Sequence, residues 1–522
     1  MRNTVFYSYF CIFFAIKIVF HDGYKILGVF PSSSPSHYIL GSALLKGLAA
    51  KGHKVSAITA FPHNEQIENY EEIPIPKVLE SFEDVLKDIE KPGGKSLLQY
   101  YNSIMTTGST LSEKVLEQPI VQRLLTSKNR TFDLIICEIY LNDALYGLGQ
   151  HFNAPLITLS PMGSSLLSSI LSGAPIPPSF VPNILLGSTD RMNFVERALN
   201  LAVLTVENII YQLYWLPYQS KVYNKFFPNA KLTFEEVMMN VSLILLNQHF
   251  SISNPEPLLQ NMVEVGGLHI SRQKQLLPLE IQTFLDKAHD GAIYFSLGTN
   301  CKSSGLRMEA IEAMLRVFRS MKQRVLWKYE NASLPGKSDN VLIRNWFPQN
   351  DILAHPNVKL FITHGGLLST TEAVYHGKPL LAIPVLMDQF MNVARAVEKG
   401  YAIKLSTSQL SSDDIFKRTL TELLTDPKYS SKAKQISASY RDQPLEPLEV
   451  AIFWVEYVLR HKGAPQLLST ALNLNFFQYH SLDTIAVVYG SVVLILLLVG
   501  FSLKKFVNCI FGCKRISKRK TE

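Results

Sequence analysis

The sequence predicts an α/β chain of two doubly wound domains facing a cleft, followed by one C-terminal transmembrane helix. Three observations carry that prediction. Residues 24–59 run strand, helix, strand; the same alternation restarts at Ala292 after a long mixed stretch; and Thr484 to Leu503 is 20 residues without a charge. A strand–helix–strand unit of that size implies parallel pairing through a right-handed crossover, and two separate series of such units imply two sheets.

Residues 1–23 place Arg2 ahead of the apolar run Val5 to Phe20 and end on His21, Asp22 and Gly23, the pattern of a secretory signal peptide. An N-terminal domain is expected over 24–253. It opens with the strand Tyr24 to Phe30, a Ser/Pro loop, a helix over Ser36 to Lys51 stopped by Gly52, and the strand Val55 to Thr59. Ser179 to Phe227 is unusually apolar and aromatic with a helical pattern. It suits a binding-pocket wall or membrane-resting surface as well as an ordinary core insertion, and period alone does not separate these.

The Pro-rich, polar stretch 254–287 is expected to be a linker. A second domain over 288–440 has strand patterns at Ala292–Leu297, Arg324–Tyr329, Val341–Trp346, Val358–Thr363, Pro379–Val385 and Tyr401–Leu405. Helical patterns lie between most of them, at Arg307–Lys322, Leu367–His376, Asn392–Lys399 and Asp413–Leu424. Residues 441–483 are expected to be helical and membrane-proximal. At ~1.5 Å per residue, 484–503 is long enough to cross a ~30 Å hydrocarbon core. Lys504 and Lys505 follow at once, which puts 504–522 in the cytosol and the two domains in the lumen. Lys518 and Lys520 stand five and three positions from the carboxyl end, which resembles a dilysine retrieval signal. The expected location is therefore the endoplasmic reticulum membrane, in type I topology.

The formal net charge of +8 does not mark a nucleic-acid binder, because residues 504–522 alone carry +6 and the first 23 carry +1. Of five cysteines only Cys137 and Cys301 lie in the lumenal part, each beside an apolar strand pattern, so burial is expected rather than a bridge. Asn129, Asn240 and Asn331 head glycosylation sequons, with Asn331 in the most loop-like setting.

The recognition residues come late in the chain. Trp346-Phe347-Pro348-Gln349 is followed by Phe361-Ile362-Thr363-His364-Gly365-Gly366, then Ser369, Glu372, Pro379, Pro384, Asp388 and Gln389. This constellation resembles the signature of the UDP-glycosyltransferases, and the whole-chain plan resembles the family's animal endoplasmic-reticulum branch, closest to insect members around Thr363 to Glu372. The resemblance implies the GT-B fold, with two Rossmann-like domains, and a UDP-sugar donor as substrate with no further cofactor. A strand ending at Thr363 and a helix beginning near Gly366 aim backbone N–H groups at the crevice, where glycines let a diphosphate approach. His364 sits at that junction as a phosphate partner, able to offset charge as imidazolium. Ser296, Gly298 and Thr299 end another strand and offer further phosphate contact. Trp346 offers a ring for the uracil, Gln349 and Glu372 suit ribose hydroxyls, and Asp388 and Gln389 suit those of a hexose, as the matching family positions do. Leu368-Ser369 stands where many vertebrate members have Asn-Gly, leaving Ser369 to replace an amide contact.

Transfer from a UDP-sugar needs a base for the acceptor and stabilisation of departing UDP. His37, after the first strand, falls at the carboxyl edge facing the cleft and matches the family's catalytic histidine; His53 falls at the opposite edge. Glu138, at the end of the strand Asp133 to Glu138, stands where vertebrate members have Asp and is the expected partner carboxylate, with Asp143 as the alternative. No metal-ligand spacing appears. The expected reaction is an inverting transfer of a hexose, glucose first because only Lys378 and Arg395 stand near Asp388-Gln389, to a small lipophilic acceptor. The expected partners are donor, acceptor and membrane, with no nucleic acid and a homo-oligomer left open. A catalytically silent lipophile- or partner-binding protein and a glycolipid- or protein-directed transferase are the competing readings.

Overall fold

A computed structural model describes residues 23–63, 66–82, 108–271 and 275–518. The signal peptide expected over 1–23 and the terminal register of Lys518 and Lys520 thus lie, almost wholly, outside the described residues. The chain forms one compact unit that runs to Leu468 and a second from Ser469 onward.

The first unit holds two all-parallel sheets. The first contains β1 (Lys25–Phe30), β2 (Lys54–Thr59), β3 (Tyr70–Pro74), β4 (Leu134–Glu138), β5 (Leu156–Ser160), β6 (Val241–Leu246) and β7 (Met262–Glu264). Their spatial order is β3-β2-β1-β4-β5-β6-β7. The second contains β8 (Ala292–Ser296), β9 (Arg324–Lys328), β10 (Val341–Arg344), β11 (Val358–Thr363), β12 (Leu380–Ala382) and β13 (Ala402–Lys404), in the order β10-β9-β8-β11-β12-β13. The central strands are buried end to end, as continuous apolar runs must be when helices cover both faces. In each sheet the order reverses once, between β1 and β4 and between β8 and β11. Such a switch point opens a crevice beyond the strands' carboxyl ends.

The helices that frame the crevice follow from local sequence. α1 (Pro35–Ala50) opens with Pro at its first position, where the missing N–H is no loss. α2 (Phe194–Ile210) runs through a π turn, Tyr211–Trp215, into α3 (Leu216–Phe226). Its inner face buries Asn200, Tyr211 and Trp215, while Val195, Leu199, Val206, Ile209 and Leu213 are exposed at helical spacing. The apolar stretch 179–227 is therefore not a core insertion throughout, since these side chains face outward. In the second sheet α4 (Met308–Arg319), α5 (Leu367–Tyr375), α6 (Gln389–Glu398), α7 (Asp413–Thr425) and α8 (Pro427–Arg441) complete the alternation.

Two elements depart from the sequence reading. The stretch 254–287 contributes to both halves: β7 pairs with β6, and the helix Leu279–Asp286 buries Ile281 and Leu285 in the second core. The chain then returns. Tyr440 on α8 donates a 2.6 Å hydrogen bond to the Gly266 carbonyl, and α9 (Pro447–Arg460) packs Ala451, Ile452 and Val455 into the core shared by α1, β1, β4, β5 and β6. The second unit contains α10 (Leu482–Lys518), whose segment Leu482–Ile510 has the length and composition to cross a membrane.

Because Ile452 lies in the first sheet's core although it follows the second sheet in sequence, Ile452→Ala should destabilise the chain by about 2 to 4 kcal/mol through the cavity it leaves. A denaturant midpoint unchanged from wild type would mean that α9 does not anchor the two halves.

Candidate functional site

Both switch points deliver their residues to one cavity of about 330 Å³, lined from the first sheet by His37 and Tyr140 and from the second by Ser296, Gly298, Thr299, His364 and Gly366. The two loops touch directly: Asn300 Nδ2 donates to Ser34 Oγ at 2.9 Å.

At the first sheet's edge, Glu138 ends β4 with no exposed surface. Its Oε1 accepts from the Ser32 N–H at 2.7 Å, and its Oε2 lies 3.3 Å from His37 Nδ1. A buried carboxylate needs both oxygens engaged, and this pair of partners supplies that. The extra methylene of Glu over Asp is taken up by the reach to the Ser32 amide. With Nδ1–H facing the carboxylate, Nε2 is left as the proton acceptor in the cavity. Ser32 Oγ also lies 3.1 Å from Nδ1, and Tyr140 packs edge-on at 4.8 Å between ring centroids. Burial and the charge of Glu138 push the Tyr140 phenol up to about 12.

Asp143 is not in this group. It accepts from Trp215 Nε1 at 2.8 Å and from Tyr211 OH at 3.5 Å, which ties the π turn to the first sheet's core. Burial, opposed by those hydrogen bonds, raises its carboxyl to about 6. His53, at the opposite edge, accepts from the Tyr24 N–H and faces Glu456 of α9 at 3.3 Å.

Across the cavity, the His364 ring is clamped between two glycines. A Cβ on Gly298 would come within 2.4 Å of the ring and one on Gly366 within 2.5 Å, while Gly298 and Gly365 both take positive φ. Glycine is required there on both counts. Burial, helped by Lys328, pushes the His364 imidazole down to about 4, which favours its neutral, hydrogen-bonding form over the imidazolium.

Gln349 Nε2 donates to Glu372 Oε2 at 2.6 Å and to Ser369 Oγ at 3.0 Å, so three of the expected ribose and phosphate groups form one cluster at the start of α5. His269, from the stretch expected to be a linker, faces the other Glu372 oxygen at 3.3 Å. Trp346 stands on the rim with 57% of its surface exposed, unusual for Trp and suited to stacking. Gln389 Oε1 accepts from the Val385 and Leu386 N–H groups, so its carbonyl holds the loop ahead of α6. Asp388 accepts from Asn392 at 2.7 Å; burial raises its carboxyl, and Asn392 and the nearby His37 oppose that. His37 and Asp388 thus face each other electrostatically from opposite walls.

Of the two cations close to Asp388-Gln389 in sequence, Lys378 donates to the His355 and Val358 carbonyls at the far end of β11. Arg395 lines a separate cavity of about 40 Å³ beside Glu207, His249 and Glu256. Lys328, at the end of β9, lines the main cavity and was not singled out by any motif. Tyr140 and His269 were missed likewise. Only Tyr140 carried a signal, two residues beyond a strand end. Among the described residues, no group of three or more His, Cys, Asp or Glu is placed to hold a metal ion.

Comparison with known proteins adds an independent line. The family description "UDP-glucoronosyl and UDP-glucosyl transferase" matches residues 28–521. UDP-glucosyltransferase 2 of Dactylopius coccus is 33% identical, covering 97% of this chain and 98% of that one. UDP-glucuronosyltransferase 2B1 of Rattus norvegicus is 30% identical over 93% and 94%. Among solved structures, a UDP-glucosyltransferase from Polygonum tinctorium that glucosylates indoxyl superposes with a TM-score of 0.57 at 16% identity, covering 84% of this chain and 99% of that one. The glycotransferase of kitacinnamycin superposes at 0.55 and 15%, over 83% and 98%. These likenesses establish the GT-B fold.

Asp143 offers a check on the division of labour between the two carboxylates. Its folded pKa lies above the unfolded value, so the native state holds a proton that the unfolded state releases, and the stability it contributes falls as pH rises from about 4 to about 6. Relative to Asp143→Asn, wild type should lose on the order of 3 kcal/mol across that window and nothing further above pH ~7. Parallel stability profiles for the two proteins would show that Asp143 is not protonated in the fold.

Proposed function

The chain belongs to the UDP-glucuronosyl and UDP-glucosyl transferase family, and from that premise we propose that it moves a hexose, preferably glucose, to a hydroxyl of a small lipophilic acceptor, with His37 as base and inversion at the anomeric carbon. Family membership makes it a UDP-glycosyltransferase that takes its sugar from a UDP-sugar donor. The observation that carries the finer reading is the His37–Glu138 pair, buried on one wall of a cavity whose other wall presents Asp388, His364 and the Gln349–Ser369–Glu372 cluster.

In that reading His37 Nε2 takes the acceptor proton while the acceptor oxygen bonds to the anomeric carbon. The bond from that carbon to the phosphate oxygen breaks in the same step, and UDP leaves with the electron pair. Glu138 steadies the imidazolium that forms; backbone N–H groups at the start of α5, with His364 as a neutral donor, receive the charge that develops on UDP. No cofactor beyond the donor is needed. Glucose is favoured because neither Lys378 nor Arg395 lines the main cavity, and a glucuronate carboxylate would call for a cation at the sugar. Lys328 stands on β9, three strand spacings from β12, which is roughly 14 Å from the side where Asp388 follows.

The cavity lining also includes Ile39 and Met162 from the first sheet's side and Leu367 and Leu386 from the second's, apolar surface that suits a lipophile. The apolar outer face of α2 and the spanning segment of α10 both suit an enzyme that works at a bilayer. Residence in the endoplasmic reticulum with both sheets lumenal rests on Lys504-Lys505 and the tail, and is supported by the exposure of Asn129, Asn240 and Asn331.

The test is a donor panel on membranes expressing the full chain, offering UDP-glucose, UDP-glucuronate, UDP-xylose and UDP-N-acetylglucosamine with a simple phenol. UDP-glucose should be turned over fastest. His37→Ala should abolish transfer while UDP still binds, and Glu138→Gln should lose about ten- to thousandfold in turnover. Full turnover by His37→Ala, or a glucuronate preference that disappears in Arg395→Ala, would overturn this reading of base or donor.

A further inference from the structure

The carboxyl edge of the second sheet presents a row of side chains in register. Arg344 of β10 is paired with Lys328 of β9, Lys328 and Ser296 follow the Phe295–Trp327 pair by one position, and Ser296 is paired with Thr363 of β11. Alternation along β8 and β9 sends Phe295 and Trp327 into one core and turns Ser296 and Lys328 toward the other face, where both line the main cavity. Arg344 is engaged elsewhere, with Glu280. Lys328 is only 8% exposed, and its Nζ lies 3.1 Å from Glu330 Oε1. Glu330 is itself held in place, since its Oε2 accepts from the Ser304 N–H at 3.1 Å.

Lys328 is nearly buried, and one carboxylate accounts for only one of its three donors. Lys328 and His364 line the same cavity. His364, held neutral among Gly298 and Gly366, supplies no positive charge there, and neither do Ser296, Thr299 or the backbone N–H groups. A diphosphate carries at least two negative charges into this pocket. Resting on the reading of the cavity as a UDP-sugar site, we propose that Lys328 is the cation of that site: its ammonium keeps Glu330 and donates to a phosphate oxygen of UDP, so that the charge on the donor and on departing UDP is met from β9 rather than from the His364 motif. Lys328 is thereby a binding residue for donor and leaving group alike.

The probes are uridine, UMP and UDP, titrated by calorimetry into the full chain in detergent. Wild type should bind UDP more tightly than uridine. Lys328→Met should lose about ten- to hundredfold on UDP, the scale of one charge-assisted hydrogen bond, while uridine affinity stays within about threefold. Lys328→Arg should recover most of the loss. Removing the lysine also leaves Glu330 unpaired, so Lys328→Met combined with Glu330→Gln separates the two effects. If the proposal holds, the double variant stays weak for UDP. Recovery of wild-type affinity in the double variant would assign the loss to Glu330 repulsion and overturn the proposal, as would equal loss of uridine and UDP in Lys328→Met, or no loss at all. A wild type that does not bind UDP would overturn the donor-site reading, and the proposal with it; UDP bound equally by wild type and Lys328→Met would overturn the proposal alone.

Discussion

Each of the two sheets reverses its strand order at one place, and the crevice this leaves is the constraint on which the site depends. At β1/β4 and at β8/β11 the crossovers leave in opposite directions, which opens a crevice at the carboxyl ends of those four strands. His37, Glu138, the glycine-flanked His364 and the Ser296–Thr299 loop each come from one of those ends. Nothing in this arrangement needs a long loop to reach inward. It needs two sheets held so that their open ends meet, which is where Tyr440 on Gly266, α9 on α1 and Asn300 on Ser34 act.

The electrostatics follow from burial at that meeting place. Several ionisable groups there are shielded from water, and four of them show different ways of managing it. Glu138 keeps its place through the Ser32 amide and His37; Asp388 is relieved by Asn392 and by the facing His37; His364 gives up its charge; Lys328 keeps a carboxylate in Glu330. In the proposed reading charge is divided, with the His37–Glu138 pair on the first sheet and Lys328 on the second. That division matches a displacement in which a proton moves on one side of the sugar and negative charge leaves on the other.

Much of this was legible in the sequence because parallel strands buried on both faces are written as unbroken apolar runs. Val358–Thr363 begins and ends where its composition says it should, and α5 starts at Leu367, right after the glycines. The strand expected over Pro379–Val385 is shorter, Leu380–Ala382, since Pro379 and Pro384 flank it. What stayed hidden depends on contacts far apart along the chain. β7 is three residues in a polar stretch, recognisable only once β6 lies beside it, and α9 carries no mark of belonging to the first sheet. Glu138 and Asp143 both follow the same strand run, and only the Ser32 amide and the indole of Trp215 separate their roles. The burial of His364 between Gly298 and Gly366, and of Lys328 beside Glu330, arises from contacts that a motif does not record.

The dyad and the donor wall act together only if transfer is a single in-line displacement from the His37 side. The configuration of the product reports this most directly. With a UDP-α-hexose and a phenol, the anomeric proton of the product, measured by NMR without prior purification that could select an anomer, is expected to show the large diaxial coupling of a β-glycoside. An α-glycoside as the initial product would contradict it, since retention requires either a covalent intermediate or attack from the face of the departing UDP.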